Sequence, residues 1–132
     1  MSNLASQFAV RHYEQVKTSS AVVSSDGYRL VQLLLEGALE RLAVAKGHME
    51  RGEMAEKGER LGRVLDILAE LRGTLDHDKG GDIARNLRDL YDYMESILVR
   101  ANMDNRADLL DQLSALIREI KSGWDGLARV PT

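Results

Sequence analysis

The sequence contains no cysteine, which excludes disulfides and thiolate metal sites and suits a reducing compartment. Its single proline is Pro131, so the interior holds no obligate helix breaker. Only six aromatic residues are present (one Phe, one Trp, four Tyr) and leucine dominates the apolar set. That composition favours helices over a β-sandwich. A basic excess is also missing: 18 Lys and Arg stand against 21 Asp and Glu, a formal net charge of −3. Little is left to neutralise phosphates, so neither nucleic acid nor an anionic membrane is an expected partner. No apolar run approaches the roughly 20 residues that span a bilayer. The opening stretch MSNLASQFAVRHYEQ lacks a basic segment followed by an apolar core, so no secretory signal is expected. These absences point to a cytoplasmic protein.

What is present is helical periodicity. The 132 residues, 44% hydrophobic and 30% charged, have the balance of one globular domain. Asp26 is placed to cap a first long helix that Gly52 ends. Its seam is Val31, Leu34, Ala38, Leu42, Ala45 and Met49. Leu30, Leu33, Leu35 and Leu39 fall outside that seam, although a bundle helix needs only about three apolar residues in seven. Such a helix either lies at the centre of a bundle or exposes a second apolar strip. A second helix over about 53–75 has Met54, Gly58, Leu61, Leu65, Leu68, Arg72 and Leu75 in phase, Arg72 being its one polar lapse. Val64, Ile67 and Leu71 widen the stripe. Gly58, Gly62 and Gly73 either admit a close helix or are simply tolerated, at up to about 1 kcal/mol each.

Gly80-Gly81 is expected to break the chain and Asp82 to cap a third helix. Ile83, Leu87, Leu90, Met94, Ile97 and Ala101 form its seam, with Asn86, Tyr91, Tyr93 and Asn102 on or beside it. Asp104-Asn105 then offers caps for a last helix, whose seam of Leu110, Leu113, Ile117, Ile120, Trp124 and Leu127 is the cleanest in the chain. Ahead of these, Phe8, Val10, Tyr13 and Val16 trace a short helical arm, followed by the connector TSSAVVSS. The expected fold is all-α, an antiparallel four-helix bundle with a short N-terminal helical arm. It divides into arm and connector at 1–25, bundle at 26–128 and tail at 129–132.

Catalytic chemistry is hard to find. None of His12, His48 and His77 has a Glu three residues before it, so a di-iron bundle site is not expected. Asp76-His77-Asp78 reads as a solvated turn. Gly80-Gly81 lacks the lysine and strand of a phosphate cradle, and the serines at 19–25 have no histidine and acid placed to activate them. Asp89, Asp92 and Glu95 form an acidic face directed at solvent. The reading is a binding protein: no enzyme, no cofactor and no metal.

One stretch narrows the class of partner. Gly80-Gly81-Asp82-Ile83-Ala84, Asn86-Leu87, Leu90-Tyr91-Asp92-Tyr93-Met94 and Ala101-Asn102 together resemble the signature of the FliS family of flagellar secretion chaperones. Tyr13, Gln15-Val16, the run from Asp26 to Leu34, Glu36-Gly37-Ala38-Leu39, Ile117-Arg118-Glu119 and Trp124 extend the resemblance over nearly the whole chain. Two features depart from the family pattern. Gly27 stands where a proline usually opens the first long helix, and Leu35-Glu36 stands where tyrosine and aspartate are common. The resemblance implies a four-helix chaperone of the flagellar type III export system. Such a chaperone holds the disordered C-terminal segment of flagellin in hydrophobic grooves, prevents premature polymerisation and assists delivery to an export-gate component. A disordered amphipathic segment binds by laying apolar residues into grooves, so the surplus apolar residues become candidates. Leu33, Leu35, Leu39, Val64, Ile67 and Leu71 are expected to line the grooves, with Asn86, Tyr91 and Tyr93 supplying polar contacts. Tyr13 and Val16 are expected to act as a displaceable lid, and the free protein to be a monomer or weak homodimer. The alternative is a helical adaptor for another amphipathic partner.

Overall fold

The computed structural model describes Val23 and residues 27–127. Four helices follow one another: α1 (Gly27–Glu50), α2 (Met54–Gly73), α3 (His77–Asp104) and α4 (Ala107–Leu127). Two or three residues join each to the next, too few for the chain to travel back along the bundle, so successive helices run antiparallel. α1 packs on α2 and α4, and α3 packs on the same two. The helices therefore form a ring of four, with α1 and α3 on one diagonal. The expected arm, including Tyr13 and Val16, and the expected cap Asp26 lie outside the described residues. From the connector, Val23 is half-buried against the core and makes an isolated antiparallel bridge with Leu75.

The turns explain why the helices stop where they do. Gly52 has φ +73°, its N–H donates to the Met49 carbonyl at 3.2 Å, and Glu53 N–H donates to the His48 carbonyl at 2.9 Å. This left-handed cap satisfies the last free carbonyls of α1, and a side chain at Gly52 would be strained. Glu53 also accepts from Arg51 Nε at 2.9 Å and lies 2.8 Å from His48 Nδ1. Those two neighbours, His48 first, hold the Glu53 carboxyl below the usual range.

The Gly80-Gly81 break is displaced from its expected place. Helix already begins at His77, because the Asp76 carboxylate accepts Lys79 N–H at 3.0 Å as an N-cap. His77 and Asp78 thus belong to a first helical turn and not to a loop. Gly81 then kinks α3, with φ +53° and ψ −127°, a conformation that side chains other than glycine's rarely adopt. Asp82, expected as the N-cap, pairs with Arg85 instead. The expected cap at Asp104-Asn105 serves the end of α3, not the start of α4. Asn105 is left-handed (φ 50°), and the N–H groups of Asn105 and Arg106 both reach the Ala101 carbonyl.

The seam of α2 is rotated from its expected phase, while those of α1 and α3 each differ from theirs at one expected position. In α1 the buried line is Val31, Leu35, Ala38, Leu42, Ala45 and Met49, with Leu34 only half-buried. In α2 it is Lys57, Leu61, Val64, Leu68 and Leu71. Arg72 is therefore no lapse but a rim residue, bonded across to Asp92 on α3 at 2.6 Å and lying 3.5 Å from Glu95. In α3 the expected Ile83, Leu87, Met94, Ile97 and Ala101 are buried, Ala84, Tyr91 and Leu98 join them, and Leu90 is only half-buried. In α4, Leu110, Leu113, Ile117, Ile120 and Trp124 are buried as expected. The proposed close approach at Gly58, Gly62 and Gly73 is absent, since a methyl added at any of them meets nothing within 4 Å.

Trp124 anchors the far end of α4 to the first turn of α1. Its ring stacks on Tyr28 with centroids 5.6 Å apart. Its indole N–H donates to the Tyr28 carbonyl at 3.2 Å, and the Tyr28 hydroxyl donates to the Trp124 carbonyl. Gln32 adds a bond to Asp125 at 2.9 Å. Trp124→Phe removes the indole donor and part of the stacked area. It is expected to cost about 1–2 kcal/mol, or roughly 3–8 °C in Tm by thermal circular dichroism. An unchanged Tm would mean the pair contributes nothing to closure.

Candidate partner-binding face

One flank of α1 carries a strip of leucines, a glycine and an arginine. Leu30, Leu34, Gly37 and Arg41 recur at spacings of four, three and four, and Leu33 lies three residues after Leu30 and four before Gly37, which places all five on one side of the helix. Leu30 and Leu33 are 44% and 49% exposed, and Val44 continues the strip farther along. This side faces the flank of α2: a methyl built on Gly37 would sit 3.7 Å from Ile67 Cδ1. Ile67 is itself half-buried against the core. An exposed leucine pair beside a partly sunken isoleucine, carried on two rigid helices, is a surface suited to an apolar helix or extended segment.

The candidate residues divide sharply. Leu33 and Ile67 belong to this face. Leu39 is half-buried but lies on the opposite flank of α1. Gln32 and Lys46, two turns before and after it, reach Asp125 and Asp111 on α4. Leu35, Val64, Leu71 and Tyr91, expected on a groove, are instead buried in the central core, each on the inward phase of its helix. Burial also pushes the Tyr91 phenol well above its usual range. Asn86 and Tyr93 are exposed, Tyr93 by 53%, and lie two turns apart on α3. Since α3 is diagonal to α1, the structure does not bring them to the α1–α2 face.

Two features of this surface escaped sequence reasoning. Gly37 and Arg41 meet there, with Arg41 Nη1 donating to the Gly37 carbonyl at 3.2 Å. The signal was available, since both residues fall in phase with Leu30 and Leu33. A second surface runs along α3, where a shallow groove of about 400 Å³ is lined by Asp92, Glu95, Ser96, Val99, Arg100, Met103 and Asp104. Met103 is 76% exposed there. The acidic face expected at Asp89, Asp92 and Glu95 is partly neutralised, as Asp92 and Glu95 hold Arg72 across the α2–α3 boundary. Asp92 hydrogen-bonded to Arg72 raises the guanidinium above its ordinary range. Among the described residues no cluster of His, Asp and Glu is placed to hold a metal ion. No described helix is long and apolar enough to cross a membrane.

Comparison with known proteins shows the family. The family model described as flagellar protein FliS matches residues 9–131. The flagellar secretion chaperone FliSB of Pseudomonas aeruginosa is 48% identical over 120 residues, spanning 91% of this chain and 95% of that protein. The flagellar secretion chaperone FliS of Vibrio cholerae is 43% identical over 117 residues, spanning 89% of this chain and 86% of its own length. That of Salmonella typhimurium is 37% identical over 116 residues, spanning 87% and 86% respectively. The chain, a chaperone and not an enzyme, belongs to the FliS family of flagellar secretion chaperones.

Proposed function

We propose that the protein binds the disordered C-terminal segment of flagellin in the cytoplasm. It keeps that segment from polymerising early and carries it to a component of the export gate. The observation that supports this reading is the exposed pair Leu30 and Leu33, with the half-buried Leu34 and Ile67 beside it. A stable bundle gains nothing by leaving such leucines in water, whereas an unfolded cargo segment gains a wall against which to fold. Leu33 and Ile67 make the apolar contacts, and Asn86 and Tyr93 on α3 supply polar contacts where the cargo wraps farther round the bundle. Wrapping is the usual mode for a segment that orders on binding, since it spreads modest energy over a large area.

Calorimetric titration of the full chain with the C-terminal segment of flagellin from the same organism tests the reading. The expected result is saturable one-to-one binding with a strongly negative heat-capacity change, the mark of apolar burial coupled to folding. A folded protein that gives no heat with this segment would overturn it and leave a helical adaptor for another partner.

A further inference from the structure

Gly37 interrupts the apolar strip of α1. Leu30 and Leu33 precede it, Arg41 follows one turn later, and Ile67 of α2 lies opposite. Glycine in a helix interior is unfavourable unless its missing side chain serves a purpose. Here the space it leaves is occupied: the Arg41 guanidinium folds back over it, and a methyl built on Gly37 would lie 3.0 Å from Arg41 Nη1. Arg41 is half-buried in this position, yet its one hydrogen bond is to the Gly37 carbonyl. That carbonyl already serves the α-helical ladder, so the side chain holds a weak second place on a shared acceptor. No carboxylate among the described residues lies within ion-pair distance of Arg41. Arg51, Arg72, Arg85, Arg88 and Arg106 each have one, whereas Arg29, Arg100 and Arg118, like Arg41, have none among the described residues; Arg41 differs from these three in being folded over the glycine of an apolar strip. Nearby on the same flank of α2, Arg60 and Arg63 also form no ion pair.

A guanidinium carries five donors in a planar fork suited to a carboxylate. Folded over an apolar notch with a single shared acceptor, it is a group held in waiting. From this arrangement we infer that Gly37 and Arg41 form a specificity subsite for the cargo. The notch at Gly37, floored by Ile67, takes one apolar cargo side chain, and Arg41 swings outward to bind an acidic side chain about one helical turn away on the same cargo segment. The inference rests on the flagellin reading above and adds to it the chemistry the site selects: an apolar residue paired with an acidic one. Arg41 acts both as cover and as reader. In the free protein it shields the notch and Ile67 from water, and in the complex its charge is satisfied by the ligand.

The test is titration of the full chain with the C-terminal segment of flagellin at several salt concentrations. Arg41→Met keeps the aliphatic stem and removes the charge. It is expected to weaken binding about tenfold at low salt and to flatten the fall of affinity with added salt, because one screened ionic contact is gone. Gly37→Leu fills the notch and is expected to weaken binding by about tenfold while leaving the salt dependence as in the wild type. Should Gly37→Leu lose its helical circular dichroism, Gly37→Ala carries the same test. Its methyl makes only ordinary contact with Ile67 and displaces the flexible end of Arg41, so it is expected to fold at least as stably and bind several-fold more weakly. Either Arg41→Met or the Gly37 variant binding with wild-type affinity overturns the subsite. Absence of binding by the wild type itself overturns the flagellin reading and the subsite with it, a failure distinguishable because no variant is needed to see it.

Discussion

Leu33→Asp is expected to fold normally and to lose most of its affinity for the flagellin segment, while Leu35→Asp, two residues along the same helix, is expected not to fold. The difference is one of phase. Leu33 is half exposed on the strip that faces outward beside α2, so a carboxylate there stays hydrated in the free protein. Its cost appears only when cargo covers it, as an unpaired charge in an apolar contact, and a loss of about tenfold to a hundredfold follows. Leu35 has no exposure and lies among the buried residues of the core. An aspartate there either stays ionised without a partner or takes up a proton at the expense of stability, and it also removes the packing of a full leucine. Each route costs several kcal/mol, comparable with the whole stability of a domain of this size. Thermal circular dichroism and calorimetric titration of both variants decide the matter. A folded Leu35→Asp that fails to bind cargo would return Leu35 to the groove, and an unfolded Leu33→Asp would remove Leu33 from it.

Lys57→Met is expected to lower stability by about 2–3 kcal/mol, seen as a fall in Tm of roughly 6–12 °C, without altering cargo binding. Lys57 is the one charged side chain among the buried residues described. Its ammonium donates to the Asn102 carbonyl at 3.0 Å and to Asn105 Oδ1 at 2.6 Å. Those acceptors lie where α3 ends and turns into α4, the negative end of the helix dipole, so a cation there is favoured as well as bonded. Through this amine, α2 holds the α3–α4 turn in place. Methionine fills the same space but removes a charged donor shared by two acceptors of the turn, and hydrogen bonds to a charged group contribute more than neutral ones, about 1.5–3 kcal/mol. Unchanged stability would show that water takes over both acceptors. A loss of cargo affinity at unchanged stability would place Lys57 in the binding surface instead.

The helical class, the four bundle helices and the stop at Gly52 were legible in the sequence, because they depend on local chemistry. Leucine-rich three-and-four spacing with no internal proline leaves little but a helix bundle, and Gly52 ends α1 by a conformation its own backbone permits. The last helix was read correctly because it carries few apolar residues beyond those it buries. Its single seam, from Leu110 to Trp124, admits one phase. The first two helices carry more leucines, isoleucines and valines than one face can hold. Their sequence is compatible with a seam through Leu34 or Leu35, and through Leu65 or Val64. Only tertiary packing chooses between them, since which strip goes inward depends on the shape and phase of the neighbouring helices. That choice placed Leu35, Val64 and Leu71 in the core and left Leu30 and Leu33 exposed and Ile67 half-buried. The same holds for ionic contacts distant in sequence. Lys57 lies 45 residues from Asn102 and 48 from Asn105, so nothing in the local pattern marks it as buried or the turn as its partner. The family signature named the kind of protein. The packing of four helices decided which residues it presents.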